Sequence, residues 1–417
     1  MKIGIISNLY PPYARGGAEY VIVRTVEALT DLQHDIFIIS AGPKKQEGHI
    51  VYEDRTPTEH VYRFFPRNLY FILDDYKKFL HTRMLWHIID TFTSFGRRRV
   101  EDILDTEEPE VVITHNLKGI GLSIPHGIQA KNYPHVHIVH DLQLIYPSGL
   151  LFAGKERLPL VTRPFYALYR AICKWKLGKP DIVIFPSNYL KDVYLSHGFF
   201  KDSEVVMMPN PAPKLNPVAR VQRSPGPLRL LFVGQLENHK GINFLLEEFS
   251  KLEIDAQLII AGEGTCAKQV KRASEKDERI IYLGFVSMDQ LANCFGIADG
   301  LIVPSLCYEN SPTVIYESLH AGVPVVASDI GGVGELVQDG ENGFLFKPGS
   351  KSGFVRALWR LDEKKDEFGK KQSAIQETVA PYKISLYAQQ LIERLKEAKD
   401  RHANDGIQRS LQTDSQH

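Results

Sequence analysis

The sequence predicts an α/β protein built from two doubly wound parallel-sheet domains of similar size. Three observations predict it. Short apolar, β-branched runs such as VVIT, LIIAG and PVVAS recur along the chain. Each is followed by a longer amphipathic stretch, the pattern of buried parallel strands with helices on both faces. The series is broken once, at PKLNPVARVQRSPGP, residues 213–227, with four prolines, one glycine and no apolar periodicity. Such a stretch is expected to link domains.

The expected strands before the break lie at Ile3–Ser7, Asp35–Ser40, Val111–His115, Val136–His140, Ile182–Pro186 and Val205–Met208. Those after it lie at Leu230–Gly234, Leu258–Ala261, Ile280–Phe285, Leu301–Pro304, Val325–Ser328 and Phe344–Phe346. This predicts domains at 1–212 and 228–380. A helix at 381–400 carries Ile384, Leu386, Tyr387, Leu391, Ile392 and Leu395 at helical spacing and is expected to pack back on the first domain. The polar residues 401–417 are expected to be disordered.

Composition narrows the function. The 417 residues hold 50 Lys+Arg and 50 Asp+Glu, so no global field draws the chain to nucleic acid. The four cysteines form no CxxC pair, and are expected to be reduced, packed thiols of a cytoplasmic protein. The N-terminal apolar run is too short for a signal peptide, and no apolar run approaches a membrane span.

Ligands of open α/β sheets bind beyond the carboxyl ends of strands, so the residues there are the candidates. The first strand leads into a loop with Gly16 and Gly17, whose backbone amides at a helix start suit an anion. The GxGxxG dinucleotide pattern is absent from it. The strand VHIVHD ends in His140-Asp141, where an imidazole suits a sugar hydroxyl or a phosphate oxygen. His135 and His137 alternate on that strand, but no cysteine or carboxylate nearby completes a metal set.

After the linker, FVGQLENHKG places Lys240 at a helix start, where an ammonium suits a phosphate. In PSLCYENSPTVIYESLHAGVPVVASD, Ser311 suits an N-cap and Pro312 the first helical position. The amides of Thr313 and Val314 would then face a phosphate, with Glu309 before the helix and Glu317 inside it. Carboxylates at those positions suit vicinal hydroxyls.

Taken in order, PPYARGGAEY, HNLKGIGLS, IVHDLQLIYPSGLLF, GQLENHKGINFLLEEF, IIAGEG, YLGFVS, GLIVPS and ENSPTVIYESLHAGVPVVASD resemble the family-4 retaining glycosyltransferases of the GT-B fold. The likeness runs from Met1 to about Lys399. It implies two Rossmann-like domains facing across a cleft. It also implies transfer of a sugar, with retention, from a UDP- or GDP-sugar to a glycan or lipid-linked acceptor, without a metal cofactor. By that resemblance Glu309, His140 and Lys240 are catalytic. The donor contacts are Gly16, Gly17, Gln235, Lys240, Gly262, Phe285, Val286, Glu309, Ser311, Thr313, Val314 and Glu317. Gln235 stands where the family often has Arg, which removes a bidentate phosphate donor. A UDP-sugar 2-epimerase and a catalytically silent sugar-nucleotide binder are the alternative readings.

Residues 64–99 and RPFYALYRAICKWKLGK, residues 163–179, interleave aromatics with Lys and Arg. The second stretch has five cations and no carboxylate. It is expected either to contact an anionic membrane or to be a surface helix whose aromatics pack into the first domain.

Overall fold

The computed structural model describes residues 1–14, 16–44, 51–56, 59–213 and 226–414. It divides into two compact units. The first comprises Met1–Leu150, Leu158–Pro209 and Ser385–His417, and the second Leu151–Arg157 and Asn210–Ile384. Of the expected linker, residues 214–225 lie outside the described residues.

The first unit holds β1 (Lys2–Ser7), β2 (Asp35–Ala41), β3 (Val51–Thr56), β4 (Glu59–Phe64), β5 (Val111–Thr114), β6 (His135–Ile138), β7 (Ile182–Phe185) and β8 (Glu204–Met207). Their order is β3-β4-β2-β1-β5-β6-β7-β8, parallel except for the antiparallel pair β3–β4. That hairpin escapes the sequence reading because EHVYRF carries charged residues among its apolar ones and half its positions are only partly buried. By contrast β5, β6 and β7 are buried at every residue, which is why continuous apolar runs find them.

The second unit holds β9 (Leu228–Val233), β10 (Ala256–Ala261), β11 (Ile280–Gly284), β12 (Gly300–Val303), β13 (Val325–Ser328) and β14 (Gly343–Phe346). All pair in parallel in the order β11-β10-β9-β12-β13-β14. That is the dinucleotide-fold order 3-2-1-4-5-6. The chain leaves β9 toward β10 on one side and returns to β12 on the other. The switch therefore opens a crevice at the carboxyl ends of β9 and β12.

The C-terminal helix runs Ile384–Asp414, so the expectation of disorder from residue 401 is overturned as far as Asp414, and 415–417 lie outside the described residues. Polar composition there does not prevent a helix. Arg401 pairs with Glu204 at 3.1 Å, and His402 bonds the carbonyl of Asn132 at 3.1 Å. Upstream, Tyr387, Leu391, Leu395 and Ala398 lie on one face and are buried in the core of the first unit with Ile3, Ile5 and Val26. Leu391 is fully buried. Leu391→Ala is therefore expected to destabilise the first unit by about 2–5 kcal/mol, through lost transfer energy and the cavity left behind. Urea unfolding followed by circular dichroism measures this, and a loss under about 0.5 kcal/mol, the scale of a surface substitution, would refute the packing assigned to the helix.

Candidate functional site

At the switch point of the second sheet, two loops are built to meet. β9 continues into a single helical turn, Asn238–Lys240, ending at Gly241 with φ 77°. A Cβ on Gly241 would lie 1.9 Å from the carbonyl oxygen of Pro304, so only glycine lets this turn close against the exit of β12. The amide of Leu306 donates to the carbonyl of His239 at 2.9 Å, fastening the loops together. Lys240 Nζ then donates to Glu309 Oε1 at 2.7 Å. Ser305 Oγ donates to the same oxygen at 2.7 Å. The Glu309 backbone is fixed as well, because its carbonyl accepts from Gly332 at 2.8 Å. A Cβ at Gly331 would press within 2.1 Å of that carbonyl.

The charges follow from this geometry. Burial alone would push the Glu309 carboxyl up, yet Lys240, Ser305 and His239 hold it below its ordinary value. Burial likewise pulls on the Lys240 ammonium, but the Glu309 carboxylate holds it above its ordinary value. Both groups stay ionised at neutral pH. The Lys240 side chain keeps 31% exposure against 10% for Glu309, so the cation is the reachable member.

The helix Thr313–His320 starts beside this pair in sequence, and it corrects the expected cap. Pro312, not Ser311, occupies the N-cap position, and no side chain caps the helix. Ser311 Oγ instead bonds the hydroxyl of the buried Tyr316 at 2.7 Å, because a buried phenol requires a partner. Glu317 is buried one turn inside. Helical side chains lean toward the N-terminus, so its carboxylate leans toward the amides of Thr313 and Val314.

Gln235, Gly262, Phe285 and Val286 follow β9, β10 and β11 at the same edge of the sheet. Gly262 donates its amide to Gly284 at 2.7 Å. Val286 packs on the core, while the Phe285 ring is 69% exposed. Direct contact therefore joins Lys240 and Glu309, and the remaining second-unit candidates share their sheet edge.

In the first unit, Gly16 occupies the N-cap position of the helix Gly17–Asp31, and its amide donates to Glu19 Oε2 at 2.7 Å. Glu19 is a residue that sequence reasoning missed, although it stands inside GGAEY. His140 lies beyond β6, with Nε2 2.7 Å from His115 Nδ1 and the rings stacked at 5.0 Å. Burial pulls His140 down to about 4 and His115 further below its ordinary value, so both are neutral at pH 7. His115 Nε2 is buried without a partner among the described residues. A buried N–H without a partner costs more than an unused lone pair, so the His115 proton belongs on Nδ1, donating to His140 Nε2. His140 then carries its own proton on Nδ1. The group at this strand end is thus an oriented neutral donor and not a cation.

Two further buried groups shape this edge. Asp90 accepts from the Gly119 amide with both oxygens, at 2.9 and 3.0 Å, and burial pushes it up to about 7. Thr114 Oγ1 bonds both His135 Nε2 and His137 Nδ1, at 2.7 and 2.8 Å, so those histidines serve the sheet. Among the described residues, no group of three or more His, Cys, Asp or Glu is placed to hold a metal ion.

Lys240→Met leaves the Glu309 carboxylate buried with only Ser305 and His239 near it, at a cost of about 3 kcal/mol. The pH slope changes sign. In the wild type, the depressed carboxyl contributes fully above the ordinary carboxylate range and loses its contribution on acidification. In Lys240→Met, burial lifts the carboxyl, so stability falls as pH rises from acid to neutral. Urea melts across that range distinguish the two, and parallel slopes would refute the pairing.

Residues 15–213 match the profile of glycosyltransferase family 4, and residues 227–364 match that of the glycosyl transferases group 1. An uncharacterized glycosyltransferase of Methanocaldococcus jannaschii is 25% identical over 93% of this chain and 99% of its own. The lipopolysaccharide 1,2-N-acetylglucosaminetransferase of Salmonella typhimurium is 26% identical over 71% of this chain and 75% of that protein. Among solved structures, the sucrose-phosphate synthase of Thermosynechococcus elongatus superposes with a TM-score of 0.74 at 18% identity, covering 95% of this chain and 99% of that one. The HepE protein of Anabaena, solved in complex with UDP, gives 0.69 at 17% identity, covering 95% and 100%. With both halves matched in chain order and the architecture shared from end to end, the chain belongs to the family-4 glycosyltransferases of the GT-B fold.

Proposed function

We propose that this glycosyltransferase moves a sugar from a UDP- or GDP-sugar to an acceptor hydroxyl on a glycan or a lipid-linked molecule, with retention of configuration. The observation that carries the reading is the Lys240–Glu309 pair, held at the switch point of a 3-2-1-4-5-6 sheet next to an uncapped helix start. Solved structures of the Anabaena relative contain UDP and UDP-glucose, which supports a nucleotide-sugar donor.

In this reading, the diphosphate lies against Lys240 and the amides of Thr313 and Val314. Positive charge there stabilises the negative charge that grows on the leaving group. Lys240 keeps its bond to Glu309 Oε1 while meeting the diphosphate, Glu309 accepts from hydroxyls of the transferred sugar through Oε2, and Glu317 accepts from the ribose. The bond from the anomeric carbon to the diphosphate oxygen breaks through an oxocarbenium-like state. The acceptor oxygen bonds the same carbon on the same face, and its proton passes to the leaving diphosphate. His140, a neutral donor, orients the sugar or the β-phosphate. Neither step calls for a divalent metal.

Glu317→Ala is expected to raise the donor KM by about 30–1000-fold, for the roughly 2–4 kcal/mol carried by hydrogen bonds to a charged acceptor. Glu309→Ala is expected to lower kcat instead, because the transferred sugar changes most in the transition state. Steady-state kinetics separates the two, and identical profiles would refute the division of roles. Gln235→Arg is expected to tighten UDP or GDP binding by about tenfold, by restoring a forked cation beside Lys240. Calorimetric titration measures it, and unchanged or weaker binding means that Gln235 points away from the phosphates.

A further inference from the structure

The helix Leu80–Phe92 in the first unit is amphipathic in the inverted sense. It buries Trp86, Asp90 and Thr91 and turns Leu80, Met84, Leu85, Ile88 and Phe92 outward, with Phe79 just before them. These six side chains are 49–78% exposed. The inward polar groups are satisfied, with Trp86 Nε1 donating to Tyr70 and Asp90 accepting from Gly119, so the helix is fixed in this orientation. A second helix, Arg163–Leu177, buries Cys173 and exposes Phe165, Leu168 and Trp175. Leu160 and Val161, just before it, are 75% and 91% exposed. Of the two sequence expectations for this stretch, packing of its aromatics into the core therefore fails for Phe165 and Trp175. Both helices are fastened to the helix Ile124–Ala130: Ser123 Oγ, at its N-cap, donates to the carbonyl of Thr93 at the end of the first helix at 3.0 Å, and His126 Nε2 donates to the carbonyl of Trp175 on the second at 2.5 Å.

The charge of the second helix and its approach is of one sign. Residues 158–179 contain Arg163, Arg170, Lys174, Lys176 and Lys179 and no carboxylate. Lys176 is buried, Arg170 and Lys174 are half-buried, and Arg163 and Lys179 are exposed. A two-fold contact with another copy would set this cationic stretch against itself and be repelled, whereas an anionic surface attracts it. Among the described residues, no helix is long and apolar enough to cross a membrane. A thirteen-residue helix, about 20 Å long, can lie in an interface but cannot span one.

We propose that the helices Leu80–Phe92 and Arg163–Leu177 form one surface that seats the first unit in plane on an anionic lipid membrane. The apolar side chains enter the headgroup boundary, and the cations of residues 158–179 meet lipid phosphates. The consequence for a lipid-linked acceptor rests on the transferase reading above, but the membrane contact does not. Vesicle flotation of the full chain tests it, with vesicles of phosphatidylcholine alone and of phosphatidylcholine mixed with phosphatidylglycerol. The expected result is co-flotation with the anionic vesicles that weakens in high salt. The triple variant Leu80→Asn, Met84→Asn, Ile88→Asn should lower partitioning by roughly a hundredfold with an unchanged melting temperature. The pair Arg163→Glu, Arg170→Glu should abolish the preference for phosphatidylglycerol. No binding at low salt, or binding untouched by both variants, overturns the proposal. So does a dimer in sedimentation that the triple variant dissolves. UDP binding, measured on the same samples, reports the donor site and none of the outward side chains of these two helices, so its failure would count against the donor reading and not against the membrane surface.

Discussion

The second unit depends on one ion pair placed where its sheet reverses winding. Glu309 is buried and would hold its proton there but for Lys240 and Ser305. Lys240 is anchored through the turn that Gly241 closes against Pro304. Each charge is thus kept by the other, and both are kept by backbone contacts that tolerate no side chain at Gly241 or Gly331. A buried pair of this kind adds little net stability, since desolvation consumes most of the Coulomb gain. What it supplies is a cation held in place before any anion arrives, so that little reorganisation is needed when negative charge develops beside it.

The fold was legible where burial is two-sided. Runs such as VVIT and VVAS are buried at every position, and they announced the strands to within a residue or two. Partial burial of β4 hid the β3–β4 hairpin, and polar composition hid the last turns of the terminal helix. At the site, Lys240, Glu309 and Glu317 were legible because strand ends and helix starts select their chemistry. The His115–His140 bond was not, because it joins two strand ends 25 residues apart, whereas Ser305 and Glu19, four and three residues from their partners, stood within local reach and were passed over. The expected cap at Ser311 failed because the buried Tyr316 claims its hydroxyl. The direction in which Leu80–Phe92 faces was equally hidden: helical spacing shows that faces exist, and the inward bonds of Trp86 and Asp90 decide which one is covered.

The two strand-end networks differ in electrostatic kind. In the second unit the groups are ionised, as a leaving diphosphate requires. In the first, burial strips His115 and His140 of charge and leaves two neutral imidazoles bonded to each other, and it pushes the neighbouring Asp141 above its ordinary value. A neutral imidazole can donate a hydrogen bond to a sugar hydroxyl or a phosphate oxygen, the role proposed for His140. The unpartnered Nε2 of His115 follows from the same burial: enclosing the ring completely keeps it neutral, and the one nitrogen left over is the lone pair that costs least to bury.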